Sequence, residues 1–419
     1  MKRVIAMLLA AALLTGCGAE EKPAMDETAA ETLRVEPVDD LPEDFILGMD
    51  ASCVPSLEAG GVIYTDHDGQ ARDVFAILRD NGINYIRVRI WNDPFTADGR
   101  GYGGGNCDLE NAKSIGQRAA QYGLKLLVNF HYSDFWADPG KQMVPKAWQG
   151  MDMDSKTEAL YRYTADALQQ LLQVGADIGM VQIGNETNGA FCGEYAGEPE
   201  GWQRITQLMN AGARAVRAVC PDALVAVHFT NPEKTGSYLE YGKQLENYQV
   251  DYDVFASSYY PFWHGSLDNL SAVLSQIAET YDKKVMVAET SCAYTATDTD
   301  FFANTVGEGY GTDFSEQTQA DLVRDVIDTV ANRTVNGIGV FYWEGTWISA
   351  GGTGYEENRA LWEKHGSGWA TSAAAEYDPE DAGKWYGGCA VDNQAFFDAD
   401  GRALESLKVF ALVRQGNES

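Results

Sequence analysis

An α/β fold closing into a (β/α)8 barrel, the TIM barrel, is the class that this 419-residue sequence predicts. Three observations carry that expectation: short apolar runs recur along the chain, amphipathic helical stretches separate them, and polar and aromatic residues gather where the runs end. The runs span residues 46–50, 85–91, 125–131, 180–185, 224–229, 254–259, 284–289 and 337–343. Eight parallel strands suffice to close a barrel. Helical periodicity marks 70–81, 109–122, 157–173, 202–219, 267–281 and 317–331, and 406–413 reads as a closing helix. No change of composition or Pro/Ser-rich linker follows Phe45, so residues 45–419 are expected to form one domain.

The N-terminus reads differently. Lys2 and Arg3 precede an apolar run over 4–14, too short to span a bilayer and suited to the core of a signal peptide. It ends Leu14-Thr15-Gly16-Cys17, which resembles a bacterial lipobox, with cleavage leaving Cys17 as an acylated N-terminus. Residues 1–16 are then a signal peptide, and 17–44, acidic and without apolar periodicity, a flexible tether to the outer face of a bacterial membrane. Six further cysteines (Cys53, Cys107, Cys192, Cys220, Cys292 and Cys389) meet an environment that permits disulfides, their pairing left open. With 62 acidic against 31 basic side chains, a net charge of −31 repels nucleic acid and leaves neutral substrates unaffected.

In a barrel of this kind the chemistry sits at the C-terminal mouths of the strands. Those ends read WNDP, HYSDFW, GNETNG, HFTNP, SYYPFW, ETS and YWEGTW. Two glutamates surface there, Glu186 after the fourth run and Glu289 at the end of the seventh. Glycosidic cleavage needs one carboxylic acid to protonate the leaving oxygen and a second carboxylate to attack or to activate water, so this pair is the candidate catalytic one. Arg89 and one of Tyr259 or Tyr260 are the expected donors to Glu289. His131 and His228 are candidates for bonds to sugar or carboxylates, and tryptophans after the strands for stacking on sugar faces. This reading of the residues stops at a retaining β-glycan hydrolase.

The segments GMDAS, RVRIWNDPF, GYGGGNCD, NFHYSDFWADPGKQ, VQIGNETNG, ASSYYPFWHG, VMVAET, GVFYWEGTW and GSGWATS together resemble glycoside hydrolase family 53, the endo-β-1,4-galactanases, from Gly48 to the C-terminus. The resemblance implies a retaining barrel hydrolase acting on β-1,4-galactan, with Glu186 as acid/base and Glu289 as nucleophile. It also implies that Asn185 bonds the sugar 2-hydroxyl and that Trp343 lies beneath the cleaved residue; Trp347, another tryptophan that follows a strand, is a candidate sugar contact on its residue type alone. Burial or the charge of Glu289 should raise the Glu186 pKa.

After Glu289, oxygen-bearing Asp298, Asp300 and Asn304 recur at short intervals, a spacing that can wrap a hard cation. The resemblance implies a structural calcium there, with Phe302, Cys389 and Asp392 completing the set. Phe302 and Cys389 depart from the family pattern of His and Ser, a change that a backbone-carbonyl ligand tolerates. A monomer is expected. The alternative is a lipid-anchored glycan-capture protein that kept the barrel and lost turnover, and the two glutamates argue against it.

Overall fold

The computed structural model describes residues 33–416 except 301, 308–312, 352–353, 381 and 383–385. The signal peptide and Cys17 lie outside the described residues. Eight parallel strands form a closed ring in sequence order: β1 (Ile46–Asp50), β2 (Tyr85–Ile90), β3 (Lys125–Phe130), β4 (Ile178–Ile183), β5 (Leu224–Phe229), β6 (Val254–Ser258), β7 (Lys284–Thr290) and β8 (Gly337–Tyr342). The strands match the eight expected runs to within two residues at either end. They are buried on both faces, which is why they read as apolar runs rather than as strict alternation.

Residues of one parity line the inside. Leu127, Met180, Ala226, Val254, Ala256, Met286, Ala288 and Phe341 pack there as one apolar cluster. Gly48 makes room for it, since a Cβ at that position would meet the Phe341 ring at 2.1 Å. Further along the same strands the inward parity turns polar, with Asp50, Arg87, Asn129, Gln182, His228 and Ser258 all buried. A register shift between Ser257 and Ser258 against β7 sets Glu289 opposite Ser258. One extra residue in β7 thereby aims the carboxylate inward.

Helices cover the outside. The helix Leu109–Gln121 starts where the Asp108 side chain accepts from the Asn111 N–H, and Met153–Gln173 where Asp152 accepts from the Ser155 N–H. Three helices, Val54–Ala59, Ser237–Asn247 and Tyr355–His365, fall outside the predicted stretches. The second buries only Tyr238, Gly242 and Leu245, a stripe interrupted by a glycine against which the Tyr281 ring packs. Among the described residues no helix is long and apolar enough to cross a membrane. The six cysteines over this region all carry free, buried thiols, so no disulfide braces the described residues.

The expected boundary at Phe45 moves. Residues 33–44 are not a solvated tether: Leu33, Val35 and Val38 are buried in the main core. Gln317 exchanges two hydrogen bonds with the Arg34 backbone, at 2.9 and 2.7 Å, and the Val38 N–H donates to the Val413 carbonyl at 2.8 Å. Three apolar residues within six positions suffice to dock the segment, and the surrounding acids and prolines mask them in the sequence. Replacing Leu33, Val35 and Val38 together by serine is expected to lower the thermal midpoint, at about 1.5–3 kcal/mol for each lost apolar contact, with kcat/KM unchanged. An unaltered melting curve would restore the tether reading.

Candidate active site

Glu186 and Glu289 meet at the mouth of the barrel. After β4 the chain turns through Gly184 and Asn185 into Glu186, which adopts a left-handed φ of 48°. A non-glycine residue held there costs about 1–3 kcal/mol, and such conformations cluster at functional sites. The Glu186 N–H donates to His228 Nδ1 at 3.3 Å and the Thr187 N–H to the His228 carbonyl at 2.8 Å, which fixes the turn. The carboxylate ends on Ser258, whose hydroxyl lies 2.6 Å from Glu186 Oε1 and 3.3 Å from Glu289 Oε2.

Glu289 is held by stronger donors. Arg87 Nη2 lies 2.7 Å from Oε1, and the Tyr260 hydroxyl donates to Oε2 at 2.9 Å. An oxygen of Glu186, one of Glu289 and a ring nitrogen of His228 all lie within 4.8 Å of one another. Burial first, and the Glu289 charge second, push the Glu186 carboxyl up to about 8. The two carboxyls are thus divided by surroundings, one neutral near pH 7 and one paired with a guanidinium.

The structure reassigns several expected residues. Arg87, not Arg89, is the partner of Glu289. Both point inward by parity, but Arg89 pairs with Glu344, donates to the Gly104 carbonyl at 2.6 Å and spreads over the Trp136 ring at 4.4 Å. Of the two tyrosines, Tyr260 faces the nucleophile, while Tyr259 donates to the Gly265 carbonyl at 2.9 Å and is buried. His228 is fully buried behind the carboxylates and bonds Ser258, so it is a positioning group and not a sugar contact. Trp347 is also fully buried, stacked against Trp369 at 5.8 Å and Trp136 at 6.2 Å. It supports the floor and has no face for a ligand.

Arg87, Arg89, His131, Trp136, Asn185, Tyr260, Trp263, Trp343 and Trp369 line the cleft with the two glutamates, around about 820 Å³ of open space. Asn185 Oδ1 accepts from Arg87 Nη2 at 2.9 Å, which turns its Nδ2 toward the Ala137 carbonyl at 3.0 Å. His131 Nδ1 accepts from Trp91 Nε1 at 3.1 Å and the Ala137 N–H at 3.3 Å, so Nε2 carries the ring proton. Burial and the Arg89 and Arg87 charges hold His131 neutral, well below its ordinary pKa. Residues missed from the sequence are Ser258, Glu344, Gln182 and Trp369. All four sit in quoted segments, Trp369 in GSGWATS, Glu344 in YWEGTW, Ser258 in SYYPFW and Gln182 in VQIGNETNG, but Ser258 and Gln182 are residue types with no chemical signature of their own in a strand.

Oxygens of Asp298, Asp300 and Asp392 also lie within 4.8 Å of one another. Asp392 Oδ1 and Asn304 Oδ1 are buried with no hydrogen-bond partner among the described residues. The Phe302 and Cys389 amides donate to Asp300 at 2.9 and 2.6 Å, while the Cys389 thiol faces the Trp347 carbonyl at 3.6 Å. Both residues therefore belong to the cluster through their main chain only. Burial and the neighbouring Asp392 and Asp298 charges raise Asp300 to about 7. Crowded carboxylates and orphaned oxygens are what a hard cation relieves.

The sequence model of Glycosyl hydrolase family 53 matches residues 46–410. The chain is 52% identical to the endo-beta-1,4-galactanase of Bacillus subtilis (strain 168), over 100% of this chain and 99% of that protein. Against the arabinogalactan endo-beta-1,4-galactanase of Cellvibrio japonicus it is 35% identical, over 78% of this chain and 86% of the relative. Among solved structures, the Ignisphaera aggregans GH53 catalytic domain superposes with a TM-score of 0.80 at 38% identity, covering 91% of this chain and 100% of that one.

The buried Arg89–Glu344 pair gives a test of the reassignment. Glu344→Gln leaves a buried guanidinium without its main counter-charge and is expected to cost about 3–5 kcal/mol in denaturant unfolding. A midpoint unmoved by the change would show that Asp50, whose Oδ1 is 3.9 Å from Arg89, compensates alone.

Proposed function

The chain belongs to glycosyl hydrolase family 53, and from that membership we propose that it is an endo-β-1,4-galactanase that cleaves type I (arabino)galactan with retention of anomeric configuration. The observation that carries the mechanism is the approach of Glu186 and Glu289 oxygens to within 4.8 Å. Retaining enzymes hold their carboxyls about 5–5.5 Å apart, inverting ones about 6.5–9.5 Å to seat a water between them. The substrate class follows from the printed activities of the relatives, at 52% identity over the full length for the Bacillus subtilis protein.

In the first step Glu186 gives its proton to the glycosidic oxygen while a Glu289 oxygen attacks the anomeric carbon. The C–O bond to the leaving sugar breaks and a glycosyl ester forms. Glu186, now ionised, then takes a proton from water as the hydroxide oxygen displaces Glu289. The carboxylate returns to Arg87 and the acid to its starting state. Asn185 offers an amide at the cleft wall for the 2-hydroxyl, where a bond that tightens as charge develops lowers the barrier. Trp343 supplies an indole face beside the reacting sugar, and Trp263, 47% exposed at the rim, a second one farther out.

The carboxylates of Asp298, Asp300 and Asp392, with the unpartnered Asn304 Oδ1 on the same loop, fit a structural calcium ion. The ion would brace the loop after β7. The N-terminal pattern ending in Cys17 supports export and a lipid anchor on the outer face of a bacterial membrane. Both catalytic carboxylates and their donors come from one chain, which supports action as a monomer.

Purified protein is expected to release reducing ends from linear β-1,4-galactan and not from β-1,4-mannan or β-1,4-glucan, and Glu289→Ala is expected to abolish this. A folded protein that binds galactan without releasing ends would be the glycan-capture protein instead. Glu186→Ala should keep activity on aryl galactosides with activated leaving groups and lose it on galactan; equal losses would remove Glu186 from its role. Because glycosylation needs the protonated acid, and Glu186 is raised to about 8, kcat/KM should fall as pH rises through that region. Chelation should lower the melting temperature if the acidic cluster holds calcium, since a ligand bound only by the folded state stabilises it.

A further inference from the structure

Behind the two glutamates a chain of hydrogen bonds links Arg87 through Gln182 and His228 to Ser258. Arg87 Nε and Nη2 face Gln182 Oε1 at 3.4 and 3.3 Å. A guanidinium only donates, so this contact fixes which end of the Gln182 amide is oxygen. Gln182 Nε2 is then the atom 3.0 Å from His228 Nδ1. The Glu186 N–H reaches the same nitrogen at 3.3 Å. Two donors converge on Nδ1, against one acceptor, Asn185 Oδ1 at 3.2 Å, which already serves Arg87 and Asn129. Nδ1 is therefore the bare nitrogen and Nε2 carries the proton.

The consequence falls on Ser258. His228 Nε2 is 2.9 Å from its Oγ and donates to it. With that lone pair occupied, the single hydroxyl proton has only carboxylate oxygens to point at: Glu186 Oε1 at 2.6 Å and Glu289 Oε2 at 3.3 Å. We propose that Ser258 is a positioning residue whose hydroxyl turns from Glu289 to Glu186 as negative charge passes between them, with the His228 tautomer enforcing donation.

The inference rests on the retaining reading, because only there does the charge change sides. Before glycosylation Glu289 is the anion, and the Ser258 O–H turns to it while the remaining Oγ lone pair accepts from the Glu186 acid. In the glycosyl-enzyme Glu289 is an uncharged ester and Glu186 the anion, and the hydroxyl reverses. The proton stays on Ser258 throughout; only the C–O rotor moves. Other titratable groups facing the pair are Arg87 from β2, Asp138 after β3, Tyr238 from the helix Ser237–Asn247 and Tyr260 after β6. Among them Arg87 and Tyr260 bond Glu289, so in the intermediate Glu186 depends on Ser258 far more than Glu289 does. Thr230 is its other hydroxyl partner.

Removing a donor from an anion raises its pKa. In Ser258→Ala the acid-side limb of kcat on an aryl galactoside whose deglycosylation is rate-limiting, which reads Glu186 in the intermediate, should move up. The shift is expected to be about one pH unit, with Ser258→Thr restoring the limb. In the wild-type protein, nitrogen-15 spectra of His228 should show Nδ1 unprotonated and Nε2 protonated. A rate lowered equally at every pH with fixed limbs, or a protonated Nδ1, would overturn the proposal. Should Ser258→Ala fail to fold, the His228 spectrum decides on the intact protein. Failure of the retaining reading is visible separately, as absence of a covalent adduct on Glu289 when wild-type protein meets a 2-fluoro-galactoside with an activated leaving group.

Discussion

The Arg87 guanidinium, 1% exposed inside the barrel, is the constraint from which the site follows. A cation taken out of water costs several kcal/mol unless it is paired and its hydrogens are used. Its partners are Asp50 from β1 at 3.0 Å, Gln182 in β4, Asn185 after β4 at 2.9 Å and Glu289 in β7 at 2.7 Å. Those strands lie on different sides of the ring, so one side chain ties the mouth across its width. The same bonds orient the chemistry. Because the group only donates, it turns both amides so that their oxygens face it, and the Asn185 and Gln182 nitrogens are left to face other partners.

That arrangement also solves an electrostatic problem. Two carboxylates whose nearest oxygens lie within 4.8 Å in a buried cleft cannot both ionise near pH 7 without large cost, and the reaction needs one of each kind. Asymmetric donors decide which is which. Arg87 and Tyr260 both serve Glu289, whereas Glu186 has the Ser258 hydroxyl, no cation beside it among the described residues, and burial that pushes its carboxyl up. The guanidinium on one side breaks the tie. The left-handed turn at Glu186 holds the acid in place against the strain that its φ of 48° implies.

How much of this was legible in the sequence depended on whether a feature has a one-dimensional signature. Parallel strands covered on both faces appear as apolar runs, and all eight were found. Glu186 and Glu289 were legible because each ends such a run, where a barrel has its mouth. Parity predicts direction but not depth, so Arg87 and Arg89 were indistinguishable, and the choice between them fell on the wrong one. Tyr259 and Tyr260 differ by one residue and hence by face, but the strand register that decides between them was not readable. Ser258 and Gln182 are ordinary strand residues until three dimensions put them beside a histidine. Leu33, Val35 and Val38 were obscured by acidic neighbours, and the helix Ser237–Asn247 by its weak apolar stripe.

Depth is also what divides the labour of the two arginines. Arg89 lies one inward position farther along β2 than Arg87, where the apolar floor of the cleft begins. There it pairs with Glu344 and presents its face to Trp136, which stacks on Trp369 at 4.6 Å, while Trp347 closes the layer from beneath. A stack of indoles has no directional bonds to fix its tilt, and a sugar platform that rocks loses the alignment a stacking contact needs. The buried ion pair supplies the direction: Glu344 sets the guanidinium plane, the guanidinium sets Trp136, and Trp136 sets the ring beside it. Trp347 therefore bears on the sugar site although it is fully buried, because the faces that touch the cleft are held from the layer below.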